Sequence, residues 1–392
     1  MGVATAVGVG LPAFEQALFE GAHRFAVMRR PGRQRDTAFI GAEIASVPSS
    51  GRLPAHVLRT ASLSSRVALA TLEQAWQEAA LDDTDPQRVG LVVGGSNLQQ
   101  RELVLLQERH RDAPGFMPPS YAMTFLDSDV CGLCTQAFGI RGFAHACGGA
   151  SAAGQLAIIE AAEAVTAGRV DACVALGPMM DLSYWECLAL QSSGAMVCDG
   201  AQDPGGAYRP FDRRHAGFVY GEACAALVVE RAGARRLPAA AHGRIAGWAV
   251  QMDANRNPNP SVEGEAQAVA AALAHAGWQP KDVDYVNPHG TGSPLGDTTE
   301  LKALRACGLA HAAINATKSI TGHGLAAAGA VEAVATLVQM KRGWLHPTRN
   351  LREPLDPDFG WVADTSREMH IGRSLSLSMG FGGMNTALCL TQ

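Results

Sequence analysis

Three short segments of the chain put reactive side chains into glycine-flanked turns. Cys147 lies in Gly142-Phe-Ala-His-Ala-Cys147-Gly-Gly-Ala-Ser151, where an extended segment ends and a helix of small residues begins. A thiol at such a junction meets the positive end of a helix dipole, which favours thiolate and so a nucleophile. Gly148 and Gly149 let the backbone turn tightly and let a substrate come close. A cysteine in a chain of this kind is most often an inert small hydrophobe, so this segment alone leaves both readings open. His145 stands two residues earlier, on the same side only if the strand is regular. His289 opens His-Gly-Thr-Gly at 289–292, a turn that cannot continue the apolar strand before it. Strand carboxyl ends are where α/β folds gather their active sites. His323 closes Thr317-Lys-Ser-Ile-Thr-Gly-His323, just ahead of an Ala-rich segment. One histidine in such a turn is commonly structural. Two of them, with a cysteine in a third turn, point to nucleophilic and hydrogen-bond catalysis. Lys318 has Ile314 and Ile320 nearby, a weak sign of burial, and Glu332 inside the next helix is its candidate partner. Asp297 and Glu300 read as helix N-terminal charges.

The elements that must position these groups alternate between short apolar strands and small-residue helices. Residues 153–165 predict a helix stopped by Gly168, and 171–176 a buried strand broken by Gly177-Pro178. Residues 262–275 predict a helix ended by Gly277, 284–287 a short strand, and 325–340 a long helix. Residues 374–378 and 386–390 predict a hairpin around the glycine-rich bend at 379–385. Such alternation implies an α/β protein with mostly parallel sheets. No low-complexity segment or short repeat is present. Residues 231–242 have the composition of a connection, so the expected division is 1–235, carrying Cys147, and 236–392, carrying His289, Lys318 and His323.

The bulk numbers narrow the field. The 392 residues suit two cores or one duplicated unit. With 47% hydrophobic and 18% charged residues and a net charge of −5, the chain is globular and has no basic excess for nucleic acid. No apolar run approaches the length of a membrane span, and no signal peptide is evident, so a cytoplasmic protein without membrane contact is expected. The nine cysteines include one Cys-x-x-Cys, Cys131 and Cys134, with no second pair to complete a zinc site. No metal is expected.

Taken together, the motifs resemble the β-ketoacyl-acyl-carrier-protein synthases, over nearly the whole chain. The nucleophile turn comes first, then Arg209-Pro-Phe-Asp212 and Gly217-Phe-Val-Tyr-Gly-Glu222. His-Gly-Thr-Gly follows at 289–292, with Pro-Leu-Gly-Asp at 294–297, Thr-Lys-Ser-Ile-Thr-Gly-His at 317–323 and Gly-Phe-Gly-Gly-Met-Asn at 380–385. The resemblance implies the thiolase fold, two duplicated βαβαβαββ halves in a five-layered α-β-α-β-α sandwich, usually dimeric. It implies Cys147, His289 and His323 as the reacting set, supported by Lys318 and Glu332. It implies an oxyanion hole from the N–H groups of Cys147 and Phe381. Met379 stands where the family carries a gating aromatic, and Gly380, Gly382, Thr291 and Thr321 are the associated candidates for substrate binding.

The implied reaction is a decarboxylative Claisen condensation. An acyl-Cys147 enzyme would meet malonyl bound to an acyl carrier protein, whose phosphopantetheine arm tethers the substrate, with no cofactor. The implied partners are that carrier and a second ketosynthase-like subunit, as a homodimer or heterodimer. The sequence departs from the family where Gly148-Gly149 follow Cys147, where His215 replaces an arginine, and where Met384 replaces a threonine. These changes resemble freestanding polyketide ketosynthases. The Gly-Gly-Ala-Ser turn at 148–151 also resembles ketosynthase-like malonyl decarboxylases, which typically lack the cysteine. Decarboxylation alone, or acyl transfer alone, is therefore the first alternative. A non-catalytic chain-length partner is the second, and the full set of reactive residues argues against it. A thiolase is more distant, because Cys389 falls on a strand.

Overall fold

Residues 89–94 and 172–177 contain little that is polar, and every one of them is buried. Strands covered on both faces read this way, and these two lie side by side in parallel. The computed structural model describes residues 1–233, 241–256 and 258–392, and it builds two six-stranded sheets. The first runs in the order Gly8–Val9, Gly2–Thr5, Ala223–Glu230, Ala172–Gly177, Val89–Gly94, Phe143–Cys147. The second runs Arg244–Met252, Met384–Thr391, Arg373–Gly380, Tyr285–Asn287, Ala313–Ile314, Gly360–Trp361. All strands of the first precede residue 231 and all strands of the second follow residue 243. The boundary expected at 235/236 lies outside the described residues.

Setting aside Gly8–Val9 and Gly360–Trp361, each sheet holds five strands in the same spatial order, 1-5-4-2-3 by their sequence within the half. In both, 1 pairs with 5 and 5 with 4 antiparallel, and 4 pairs with 2 and 2 with 3 parallel. The helix after the third strand is Ala153–Thr166 in one half and Ala328–Arg342 in the other. Both begin with a three-residue 3-10 turn, at Ala150–Ala152 and Leu325–Ala327, and both turns contain a non-glycine residue at positive φ, Ala150 at 46° and Leu325 at 50°. Chain order, pairing sense and even the backbone exception repeat. The fold is thus the thiolase-type duplication, although no sequence repeat betrays it.

Helices Leu63–Glu78 and Ser128–Phe138 cover the outer side of the first sheet, and Val262–Ala276 with Pro294–Ala306 cover that of the second. The helices Ala153–Thr166 and Ala328–Arg342 form the middle layer. Residues 328–340 are buried all round, as a helix enclosed by protein must be. Small residues let these two helices touch backbone to backbone. A Cβ on Gly154 would stand 2.7 Å from the Ala326 carbonyl oxygen, and one on Gly329 would stand 2.8 Å from Gln155 Cβ. That close approach brings their N-terminal turns together, and the site is built there. Gln155 ties the layer to the second sheet, donating to the Ser376 carbonyl at 3.1 Å and accepting from the Thr386 hydroxyl at 2.6 Å.

The predicted elements fall within a residue or two of the observed ones: the helix Val262–Ala276 is capped by the Ser261 side chain and ended by Gly277 in the left-handed region. No helix among the described residues is long and apolar enough to cross a membrane.

A buried polar network underlies the second-half strand ends. The Tyr285 hydroxyl donates to Asn315 Oδ1 at 2.6 Å, and Asn315 Nδ2 donates to Gln339 Oε1 and to the His346 carbonyl. The Thr317 hydroxyl lies 3.0 Å from His346 Nε2, and His346 Nδ1–H donates to the Pro347 carbonyl. Burial holds the His346 imidazole down at about 4. The unfolded chain binds that proton near pH 6.5, so the stability is complete above pH 6.5 and is lost as pH falls toward 4. Its full size is about 3 kcal/mol, from about 1.4 kcal/mol per pH unit. Urea midpoints measured from pH 7 to pH 4.5 should fall less steeply in His346→Gln than in the wild type. Parallel slopes would exclude this titration.

Candidate active site

The side chain that faces the histidines lies four residues beyond Cys147. The strand Phe143–Cys147 runs its full length in register with Val89–Gly94, and Cys147 is paired with Gly94. The Cys147 carbonyl accepts from Gly95 N at 2.9 Å, so this residue belongs to the sheet and not to the turn. Its side chain packs against the central core, and its charged and titratable neighbours are Glu160 and Cys131. Burial, with Glu160 nearby, pushes the thiol up to about 12, the opposite of activation. Among the described residues no hydrogen bond joins it to either histidine. The side chain that does reach them is Ser151, in the middle of the 3-10 turn: its Oγ lies 3.0 Å from His323 Nε2. Its carbonyl is held by the Ser378 hydroxyl at 3.1 Å. The sequence signal for this was present, since the helix starts at Ala153 and a side chain offered at its start belongs two residues earlier, not six. Cys147 therefore also leaves the expected oxyanion pair.

The two histidines do converge. Their ring centroids are 5.5 Å apart at an interplanar angle of 83°. His323 is fixed at its backbone, where its N–H donates to the Val219 carbonyl and its carbonyl accepts from Gly221 N. Its ring meets the edge of Phe218 at 4.9 Å. His289 is fixed by a carboxylate: Glu300 accepts from His289 N at 2.5 Å and from Gly290 N at 2.8 Å. Asp297 holds the same turn, accepting from Gly292 N at 2.9 Å and from Phe211 N at 2.6 Å, with His215 Nδ1 at 3.1 Å. These carboxylates brace the 289–292 turn, more than the helix-charge reading foresaw. Burial pushes the Glu300 carboxyl up to about 8.

Lys318 is 1% exposed and lies behind His289. Its ammonium donates to the His289 carbonyl at 2.5 Å, to Glu332 Oε1 at 2.5 Å, and faces His289 Nδ1 at 3.3 Å. Burial pushes the Glu332 carboxyl up to about 7 even with Lys318 beside it. An ammonium has only hydrogens to offer, so His289 Nδ1 is the acceptor and the ring proton sits on Nε2. For His323, Nδ1 is buried with no partner among the described residues. A bare nitrogen there costs less than an orphaned N–H, so its proton also sits on Nε2, facing Ser151. Burial and the Lys318 charge hold both imidazoles well below their usual value, and both are neutral at physiological pH. The arrangement offers two neutral N–H donors and one hydroxyl.

The glycine-rich bend closes the site from the second half. A Cβ on Gly380 would stand 2.2 Å from the Gly149 carbonyl oxygen, so only glycine lets this bend lie on the Ser151 turn. Gly382 and Gly383 take φ of 95° and 81°, and the Gly383 carbonyl accepts from Asp253 N while Asn385 Nδ2 donates to Asp253 Oδ1 at 2.7 Å. Phe381 stands half exposed on the rim. Two expected substrate contacts fall elsewhere. Met379 is buried in the outer core of the second sheet, because the strand extends through Gly380 and turns its side chain inward. The Thr321 hydroxyl is buried and donates to the Gly322 carbonyl at 2.9 Å. Thr291 remains partly exposed, its hydroxyl 2.9 Å from Ser293 Oγ.

A thiolase-type duplication with two histidines facing the turn of the central helix defines a class. The chain belongs to the β-ketoacyl synthase family: residues 1–234 match the model described as "Beta-ketoacyl synthase, N-terminal domain" and residues 242–352 the corresponding C-terminal domain. Among curated relatives it is 55% identical over 392 residues to the "Polyketide biosynthesis malonyl-ACP decarboxylase PksF" of Bacillus subtilis (strain 168), covering 100% of this chain and 94% of that protein. It is 31% identical to "Putative polyketide beta-ketoacyl synthase 1" of Streptomyces cyaneus, covering 100% and 96%. Among solved structures, a beta-ketoacyl synthase from Burkholderia phymatum STM815 superposes with a TM-score of 0.89 at 25% identity, over 100% of this chain and 97% of that one. A type II polyketide ketosynthase in complex with its acyl-carrier protein, AntDE:AntF, matches the fold with a TM-score of 0.87 at 24% identity, over 100% and 97%.

Proposed function

We propose that this protein is a malonyl-carrier decarboxylase, which converts a malonyl thioester on an acyl carrier protein to the acetyl thioester and CO₂ without lengthening a chain. The observation that carries the reading is the hydrogen bond between Ser151 Oγ and His323 Nε2, in the place where a condensing enzyme needs a thiol. Condensation begins with an acyl group moving onto the enzyme, and that step requires an activated nucleophile. A serine hydroxyl needs a base to attack. His323 presents N–H to it rather than a lone pair, so it is a poor one. The thiol of Cys147, pushed up and turned toward Glu160, does not supply the step either.

Loss of CO₂ needs something different. As the carboxylate leaves, negative charge develops on the thioester oxygen. Two fixed N–H donors in a dry site stabilise that oxygen without reorganising. Their tautomers follow from Lys318 behind one ring and from the orphaned Nδ1 of the other. The 55% identity to a protein named as a malonyl-ACP decarboxylase supports the same reading. The carrier's tethered substrate would enter past Phe381 and Met252, both exposed. The test offers the protein malonyl-carrier, alone and together with an acyl-carrier. Acetyl-carrier in both, no product two carbons longer and no mass gain on the protein are expected. A β-ketoacyl product would overturn the reading.

A further inference from the structure

Decarboxylation leaves an enolate, and an acetyl product forms only when its C2 receives a proton. We infer that Ser151 is the proton donor, an inference that rests on the decarboxylase reading. The geometry points to it by position and by elimination. The thioester oxygen must lie about 3 Å from His323 Nε2 to accept its hydrogen bond. Ser151 Oγ already lies 3.0 Å from that nitrogen, and C2 is two bonds from the oxygen. Oxygen, C2 and hydroxyl therefore share one small space. When the substrate oxygen takes over the His323 N–H, the Ser151 hydroxyl is released and its hydrogen is free to turn to C2.

The other protic side chains around this point are committed or enclosed: the Tyr208 hydroxyl, without a partner among the described residues, is fully buried against Gly292. Both imidazole protons are on the enolate oxygen. Lys318 is behind the ring, held by Glu332 and the His289 carbonyl. The Thr321 hydroxyl donates to backbone, and Thr291 is paired with Ser293. Cys147 is in the sheet. The Ser378 hydroxyl donates to the Ser151 carbonyl.

The step balances. The C–C bond to the carboxylate breaks, CO₂ leaves, and the electron pair spreads over C2 and the thioester oxygen. C2 then takes the proton of Ser151 Oγ: a C–H bond forms and the O–H pair stays on the serine as alkoxide. The transfer runs downhill, because a hydroxyl is a stronger acid than the methyl of a thioester. Water entering as product leaves returns a proton to the serine and becomes hydroxide. One water proton is consumed per CO₂ released.

The decisive readout is where the product's hydrogen comes from. Malonyl-carrier is turned over in an equal mixture of H₂O and D₂O, and the deuterium content of the acetyl methyl is read by mass spectrometry. Ser151→Ala leaves the enolate to be protonated by water. The wild-type hydrogen-to-deuterium ratio should therefore be kept by Ser151→Thr, which restores a hydroxyl, and shifted in Ser151→Ala. Turnover by Ser151→Ala should fall by about 10²–10⁴-fold, the usual range for general acid catalysis. An unshifted ratio in Ser151→Ala, with acetyl-carrier still formed, would overturn this inference and leave the decarboxylase reading standing. An acyl group found on Ser151 in the wild type would also overturn it, since an esterified hydroxyl has no proton to give. Absence of acetyl-carrier from the wild type would overturn both.

Discussion

Replacement of His323 or of His289 by alanine should each lower CO₂ release from malonyl-carrier by about 10²–10³-fold, the usual cost of removing one donor from a preorganised oxyanion site. The double replacement should not multiply the two losses. The rings lie 5.5 Å apart and in the proposed reaction would donate to one oxygen, so each would be most effective while the other is in place. The loss should appear in turnover more than in KM, because the charge being stabilised exists only on the way to the enolate. Lys318→Met tests the same geometry from behind. It removes the ammonium that fixes the His289 tautomer and leaves Glu332, which is 1% exposed, without its partner. Its effect should be split: part on turnover, from a freed ring, and part on stability, from a buried carboxyl without its countercharge. Equal rates of CO₂ release by His323→Ala and the wild type would remove the two-donor model.

The sequence carried the fold further than it carried the site. The helix Val262–Ala276, the strand Ala172–Gly177 and the closing hairpin Arg373–Thr391 were legible because their caps, glycine stops and apolar runs are local signals. His289, His323, Lys318 and Glu332 were legible for a related reason: each belongs to a motif whose spacing survives in the chain. The duplication was legible only through the family resemblance. It resides in strand order and pairing, and in Ala150 matching Leu325 at positive φ, and neither leaves a repeated string of residues. The expected convergence of Cys147 with the histidines failed through register. A strand running to Cys147 and a helix starting at Ala153 leave a five-residue turn, and the side chain that faces His323 is within that turn and not at the strand end before it. Backbone geometry decides the matter: Ala150 takes a positive φ of 46°, and the next residue, Ser151, is the one whose side chain meets His323. Met379 failed similarly, because the strand persists through Gly380 and alternation sends its side chain into the core.

Ser151→Cys should convert the protein from one that takes no acyl group into one that is acylated stoichiometrically by an acyl-carrier. The substitution changes one oxygen to sulfur at a place already facing two imidazoles and already at the start of a helix of 14 residues. A thiol there needs no strong base, since its ionisation lies several units closer to neutrality than that of a hydroxyl and the helix terminus favours the thiolate further. Intact-protein mass after incubation with acyl-carrier should show one acyl group on the variant and none on the wild type. Cys147→Ser is the matched control, and it leaves both behaviours unaltered apart from a modest loss of stability from placing a hydroxyl in a core site. Acyl loading of the wild type that Cys147→Ser abolishes would return the nucleophile to the strand end. Loading of Ser151→Cys that survives Cys147→Ser would establish that the group at position 151, and not Cys147, is the one the histidines serve in acyl transfer.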